Sequence, residues 1–375
     1  MNNRTMINKR IISMFMLVIM IISLAAGCAK EPVQEDTTQG DVTQDEAIAD
    51  FIEIVDMADR TVTIPAEVDT IFSTGPVGTI LIYSLNPDKM VGWNYELREG
   101  EKRYIDEKYH DLPNLGGAGK ESINVEEVLK VDPDVLIAMG TIDDTFISQT
   151  DELQEKMGKP IVILDEDIYK LDKAYEILGK VMGEENRAEE LGKYCRETLE
   201  DIEKNSAQIT DDMKVDIYYA EGPSGLETEP AGSWHAQVID MVGGNNVAKV
   251  EIKEGKGKSE VSIEQLLLWD PEIIISWDDE RGGYYSGILK DPAWKDITAV
   301  KKGEVYEIPN KPFNWFDRPP SVNRILGLKW IGNLLYPDIY DYDMREEVKE
   351  FYDKFYHYQL TEEEIDELLE NTIRD

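Results

Sequence analysis

The chain has 375 residues, 77 of them acidic and 39 basic, with a formal net charge of −38 and two cysteines. So acidic a chain excludes nucleic acid and anionic lipid as charge-bound partners, because both need a basic face that displaces counterions. The apolar share of 42% is too high for a disordered acidic chain, and two cysteines with no C-x-x-C pair make neither a disulfide framework nor a cysteine zinc site.

Residues 1–27 read as a signal segment. Arg4, Lys9 and Arg10 precede an apolar run, Ile11 to Leu24, broken only by Ser13 and Ser23. A run of 14 residues is shorter than the ~20 of a spanning helix. It ends in Leu24-Ala25-Ala26-Gly27-Cys28, which resembles a bacterial lipoprotein box, although Leu stands four places before the cysteine where three is commoner. The resemblance implies cleavage before Cys28, lipidation of that cysteine and an anchor on the extracytoplasmic face of the cell membrane. The plain alternative is an ordinary signal peptide with a chance cysteine. Residues 28–50, rich in Glu, Asp, Gln and Thr, read as an acidic tether. Cys195 falls in a helical pattern and is expected to pack as a small apolar residue.

The folded part is expected from Phe51. Residues 51–64, FIEIVDMADRTVTI, alternate around Ala58-Asp59-Arg60 and predict a hairpin. IFST (71–74) is a short strand, TILIYSLN (79–86) a helix and KMVGW (89–93) a further strand. Strands alternating with helices predict an α/β fold with parallel sheets. LDKAYEILGKVM (171–182) and the stretch 184–208 are helical, the second with Ala188, Leu191, Cys195, Leu199 and Ile202 at three-to-four spacing. Then follow a strand (KVDIYYA), a helix (SWHAQVIDMVGG), a strand (GEVYEIP), a helix over 321–335 and two acidic amphipathic helices in 343–371.

An internal echo organises these elements. NVEEVLKVDPDVLIAMG (124–140) and SIEQLLLWDPEIIISWD (262–278) align without gaps, matching Glu126 with Glu264 and Asp132-Pro133 with Asp270-Pro271. Each copy predicts a short helix, a Pro turn and a strand buried on both faces. Two copies predict two similar lobes, 51–170 and 209–375, joined by a long helical segment, 171–208. A single large sheet with that helix on its face is the simpler alternative.

Six segments in order carry a family resemblance: VDMADRTVTIP, NVEEVLKVDPDVLIA, GEENRAEEL, GGNNVA, SIEQLLLWDPEIII and GLKWIGNLLYP. Together they span nearly all of 50–375, and they resemble the solute-binding lipoproteins of ABC importers for iron complexes, haem and cobalamin. That resemblance implies two α/β lobes joined by one long helix, a ligand held between them, a monomer, and an ABC permease with its ATPase as partners. It also implies that Glu126 and Glu264 dock on permease arginines. A carboxylate at a helix start suits that role, while mere stabilisation of each helix start is the alternative.

Ligands of open α/β sheets bind beyond the carboxyl ends of strands. Those ends offer Thr74, Gly75, Trp93, Tyr95 and Thr141 in the first half, and Trp234, His235, Trp277, Trp315 and Arg318 in the second. Flat aromatic faces with a few polar groups suit a large metal chelate, although a Trp after a strand also packs under loops. His235 is placed to meet a chelate's metal or its carboxylates. With three histidines and no clustered pair, no bare-metal site or resident cofactor is expected. Arg318, between Phe316 and two prolines, suits a carboxylate or catecholate, or else pairs at the start of the next helix. No G-x-S-x-G, P-loop or G-x-G-x-x-G occurs, so an enzyme is not expected. The expected solute is an iron–siderophore or similar chelate, with cobalamin, haem and nickel chelates next. A metal chelatase on the same scaffold and a non-transporting sensor are the readings from other classes.

Overall fold

The computed structural model describes residues 50–119, 122–252 and 258–374. The signal segment, Cys28 and nearly all of the tether lie outside them. The described residues make up one unit by their contacts. No helix among the described residues is long and apolar enough to cross a membrane.

Strands β1 (Phe51–Val55) and β2 (Thr61–Pro65) form the expected antiparallel hairpin. The Asp56 carboxylate fixes its turn by accepting from Ala58 N, Arg60 N and the Arg60 side chain, and from Ile163 N of the neighbouring sheet. That sheet has β3 (Ile71–Ser73), β4 (Val135–Gly140) and β5 (Ile161–Asp165) in the order β3-β4-β5, all parallel. The second sheet is built from β6 (Asp216–Ala220), β8 (Asn245–Asn246), β10 (Ile273–Ser276) and β11 (Val305–Glu307), also parallel, in the order β11-β10-β6-β8. A short antiparallel pair, β7 (Glu227–Thr228) and β9 (Ser259–Glu260), lies beside it.

Period-two alternation divides each sheet into two faces. Ile71, Ile137, Val162, Ile217, Tyr219, Ile273 and Ile275 all join one large buried cluster. The opposite faces have separate covers: Phe72, Leu136, Ala138 and Ile163 in one, Tyr218, Ala220, Ile274 and Val305 in the other. The two sheets therefore share one core. The helix Glu185–Ser206, about 33 Å long at 1.5 Å per residue, contributes Ala188, Leu191, Cys195, Leu199 and Ile202 to that shared cluster. It packs on the helix Leu171–Met182, and touches both Pro76–Leu85 of the first half and Asn323–Leu335 of the second. The simpler expectation of one large sheet is not met.

The echo is structural. The helices Val125–Val131 and Ile263–Trp269 are capped by Asn124 and Ser262, and end on Asp132 and Asp270 in the left-handed region (φ 52° and 44°). Asp tolerates that conformation better than most side chains. The matched acids Asp134 and Glu272 then accept from the backbone of Thr70 and Asp216, beside the start of the neighbouring strand.

Two elements differ from expectation. KMVGW is no strand; Met90 and Trp93 make single bridges to Ile71 and Asn114. Its neighbour β3 is three residues long, and Pro87–Lys89 is a 3-10 turn capped by Asn86, so little edge remains to pair with. SWHAQVIDMVGG holds a 3-10 turn, Trp234–Ala236, and only a short helix, Gln237–Met241.

Candidate functional site

The carboxyl ends of the first sheet are small and polar except at β5, which ends in Asp165, paired with Lys170. Thr74 follows β3, and Gly75 caps the helix Pro76–Leu85. Gly117, at φ +99°, lies so close that a Cβ there would stand 2.2 Å from Thr74 O. Only glycine combines that backbone with that approach. Thr141, beyond β4, donates to Glu166 Oε1 at 2.6 Å and is exposed. Tyr95 is half-buried and donates to Glu101 Oε1 at 3.3 Å.

The corresponding ends of the second sheet carry buried charge. Glu221 follows β6, Glu229 follows β7 and Trp277 follows β10. The loop after β11 adds Asp317 and Arg318, and Asn314 Oδ1 fixes that loop by accepting from Phe316 N and Asp317 N. Glu221, Glu229 and Asp317 are fully buried around the Arg318 guanidinium: Nη2 contacts Glu221 and Glu229, and Nε lies 3.2 Å from Asp317 Oδ2. Burial and the nearby Asp317 push the Glu221 carboxyl up to about 8. Burial opposes the Arg318 charge, but Asp317 and Glu221 outweigh it and hold its pKa above the ordinary value. Arg318 is thus already committed to protein carboxylates, which corrects the expectation that it is free for a ligand. Trp277 Nε1 donates to Tyr219 Oη at 2.6 Å, and Tyr219 Oη donates to Asp317 Oδ1 at 2.8 Å. Lys258 Nζ stands 4.0 Å from the Trp277 ring centroid.

Beside this cluster lie two further arginines that were not among the expected site residues. Arg324, 1% exposed, opens the helix Asn323–Leu335. Its Nη2 donates to Gln237 Oε1 at 3.0 Å, while Nε and Nη1 have no hydrogen-bond partner among the described residues. Its guanidinium stands 5.3 Å from the Trp234 ring centroid, and burial lowers its pKa to about 10 despite the fields of Asp317, Glu166 and Asp167. Arg281 donates to Asn310 Oδ1 and Arg318 O. Burial, then the charge of Arg98 across from it, lowers its pKa, against the fields of Glu101 and Tyr95. Glu166, Arg98, Glu101 and Tyr95 belong to the first half, so both arginines sense residues of both halves.

Several expected site residues are placed elsewhere. Trp315 is 0% exposed and lies in the shared core. Trp93 is buried against Tyr83, with Nε1 donating to Tyr109 O at 2.8 Å. Neither offers a free face, because both loops turn their aromatic side chain inward to cover the sheet ends. Trp234, His235 and Trp277 remain half-buried beside the arginines. Glu126 and Glu264 are exposed, each in the first turn of its helix. The Glu264 backbone N–H and the Ser262 hydroxyl hold the Glu264 carboxyl below its usual range. Among the missed residues, Arg324 had a legible signal, a cation in the otherwise apolar run RILGL. Glu229 had none.

Two parallel α/β sheets on a common core, with charged strand ends and a long helix touching both halves, define a bilobal solute-binding protein. The chain belongs to the periplasmic binding protein family, whose model matches residues 88–312. It is similar to the molybdate-binding protein MolA of Haemophilus influenzae, at 27% identity over 335 residues that cover 83% of this chain and 92% of that protein. It is also similar to the high-affinity haem uptake protein IsdE of Staphylococcus aureus, at 24% identity over 55% of this chain and 69% of that protein. Its fold matches an ABC transporter solute-binding protein from Sulfurospirillum deleyianum with a TM-score of 0.78 and 30% identity, covering 85% of this chain and 99% of that one. The protein is therefore a solute-binding component of an ABC importer and not an enzyme.

Proposed function

We propose that the solute is an anionic metal complex, an iron–siderophore or similar chelate with ionised carboxylate or catecholate arms. The observation that carries this reading is Arg324, a fully buried guanidinium with two nitrogens that no described residue satisfies. A buried cation is stable only when paired, and a planar guanidinium suits carboxylate-like oxygens. Arg281 adds a second desolvated cation, and the half-buried Trp234 and Trp277 rings lie beside these cations, within 5.3 Å of Arg324 and 5.2 Å of Arg318. Haem, with its carboxylates, fits the same features, and the haem-binding relative supports it. Cobalamin and cationic nickel chelates use the arginines poorly.

In this reading the lobes are 51–170 and 209–375, joined by 171–208. The chain is anchored at Cys28 outside the cell membrane, and docks on a permease through Glu126 and Glu264. Leu129 and Leu267, matched positions of the repeat, are exposed on the same two helices, and Leu268 is 85% exposed, as suits an interaction face. A second reading, a bare metal oxyanion, is favoured by the 27% identity to the molybdate-binding protein.

Tryptophan fluorescence of the purified protein, titrated with ferric siderophores, haem, cobalamin, nickel–histidine and molybdate, separates these readings. Saturable quenching by a ferric chelate or haem is expected. Molybdate alone would select the oxyanion. Cobalamin alone, or no response at all, would reject the anionic site.

A further inference from the structure

We propose that Glu229, His235 and Asp317 form a separate binding site for a free divalent transition-metal ion. Their candidate donor atoms all lie within 4.8 Å of one another. The two carboxylates are fully buried, whereas the His235 side chain is 23% exposed, so the site has a closed floor and one open side for entry and for water ligands.

The second observation is the free donors themselves. Asp317 Oδ2 and His235 Nδ1 are buried and 3.3 Å apart, and neither makes a hydrogen bond among the described residues, although Arg318 Nε lies 3.2 Å from Asp317 Oδ2. Buried polar atoms are rarely left so, and a shared cation satisfies both lone pairs at once. The surroundings already orient the donors as supporting groups orient metal ligands. Tyr219 Oη occupies the other oxygen, Asp317 Oδ1. Ser233 Oγ donates to Glu229 Oε2 and itself accepts from His235 N, tying two donors to one turn.

Charge and ligand type point the same way. Three buried carboxylates, Glu221, Glu229 and Asp317, lie against Arg318, and Lys258 lies against Glu221, so the donors are oxygen-rich and the cations beside them are held by side chains able to move aside. One imidazole with two carboxylates suits zinc, iron, manganese, cobalt or nickel. Calcium takes six to eight oxygen ligands and magnesium prefers oxygen, so both fit poorly. Arg318 is the resident competitor, since it lies against both Glu229 and Asp317. The site does not use Arg324, the residue that carries the anionic-solute reading, so the two are tested by different variants.

The test is isothermal titration of the chelator-stripped full chain with Zn²⁺, Co²⁺ and Mg²⁺ alone, with no organic chelator present. We expect one zinc or cobalt ion per chain at micromolar affinity or tighter, and Mg²⁺ at least about a hundredfold weaker. His235→Ala should weaken Zn²⁺ about tenfold or more, and His235 is the partly exposed member, so its loss leaves the buried carboxylates in place. Arg318→Gln should bind as well or more tightly. Circular dichroism checks folding of each variant. If Asp317→Asn fails to fold, the Co²⁺ absorption spectrum of wild type against His235→Ala still decides. Failure of zinc to bind at millimolar concentration would overturn the proposal. So would equal affinity in His235→Ala and Glu229→Gln, which would place the ion elsewhere on this acidic chain. The fluorescence titration of the anionic solute is run on metal-free protein and checked with Arg324→Gln, so its outcome is decided separately from either of these results.

Discussion

The two sheets have one plan and different chemistry at their carboxyl ends. The first ends in Thr74, Gly75 and Thr141, half-buried or exposed, and in one carboxylate, Asp165, paired with Lys170. The second ends in Glu221, Glu229 and, from the following loop, Asp317, all fully buried around Arg318. Repetition preserved the parts that build a helix–turn–strand unit: the caps Asn124 and Ser262, and the left-handed Asp132 and Asp270. The strand ends themselves have diverged. That shared core, with one helix touching both halves, also ties the halves together, so solute capture is expected with little relative movement.

Four tests probe this contrast, beginning with the largest expected effect. If the two halves are equivalent only in how they present their repeat helices, reversing both charges, Glu126→Lys with Glu264→Lys, abolishes import while solute affinity is unchanged. Full transport by that double variant in a complemented importer strain would break the equivalence. Second, if recognition is concentrated in the second half, Arg324→Gln lowers solute affinity ten- to a hundredfold, roughly 1.5–3 kcal/mol for a charged hydrogen-bonding group. Thr141→Ala, at the first sheet's end, should change it less than about threefold. Comparable losses by calorimetry would erase the asymmetry.

Third, the first half has a steric rather than an electrostatic constraint. Gly117→Ala meets Thr74 O and an unfavourable positive φ, which should cost about 1–3 kcal/mol of stability in urea unfolding. An unchanged midpoint would count against the close approach. The fourth effect is the smallest and belongs to the second half. Burial, then Asp278 and Asp279, push Glu307 up to about 7 from an ordinary value of 4.5. The native state therefore holds a proton that the unfolded chain releases. That contribution is complete below about pH 4.5 and is lost as pH rises through about 7. Glu307→Gln should flatten thermal stability across that window, and an unaltered pH profile would remove the assignment.

Much of the fold was legible because its signals are local. The hairpin at Asp59, the turn at Asp132-Pro133 and its echo at Asp270-Pro271, and the helix stop at Gly183 follow from residues a few positions apart. Trp93 and Trp315 show where local reading fails. Both stand where a ligand-facing aromatic was expected, yet both turn into the interior. Whether a ring faces a ligand or a core depends on what the rest of the chain brings beneath it. Arg318 fails for a related reason: its three carboxylate partners come from β6, β7 and its own loop, and two of them lie about ninety positions away.

By itself the sequence determined the class of protein, the parallel α/β units, their duplication and the long helix, because apolar periodicity, capping and turn chemistry act over short stretches of chain. Only the tertiary structure decided that both sheets share one core and that Arg324 is buried with free donors. It alone gathered Glu229, His235 and Asp317 within reach of a single ion. Those facts depend on which distant segments exclude water from one another. Desolvation, which gives a buried charge its energetic weight, exists only once the chain has closed around it.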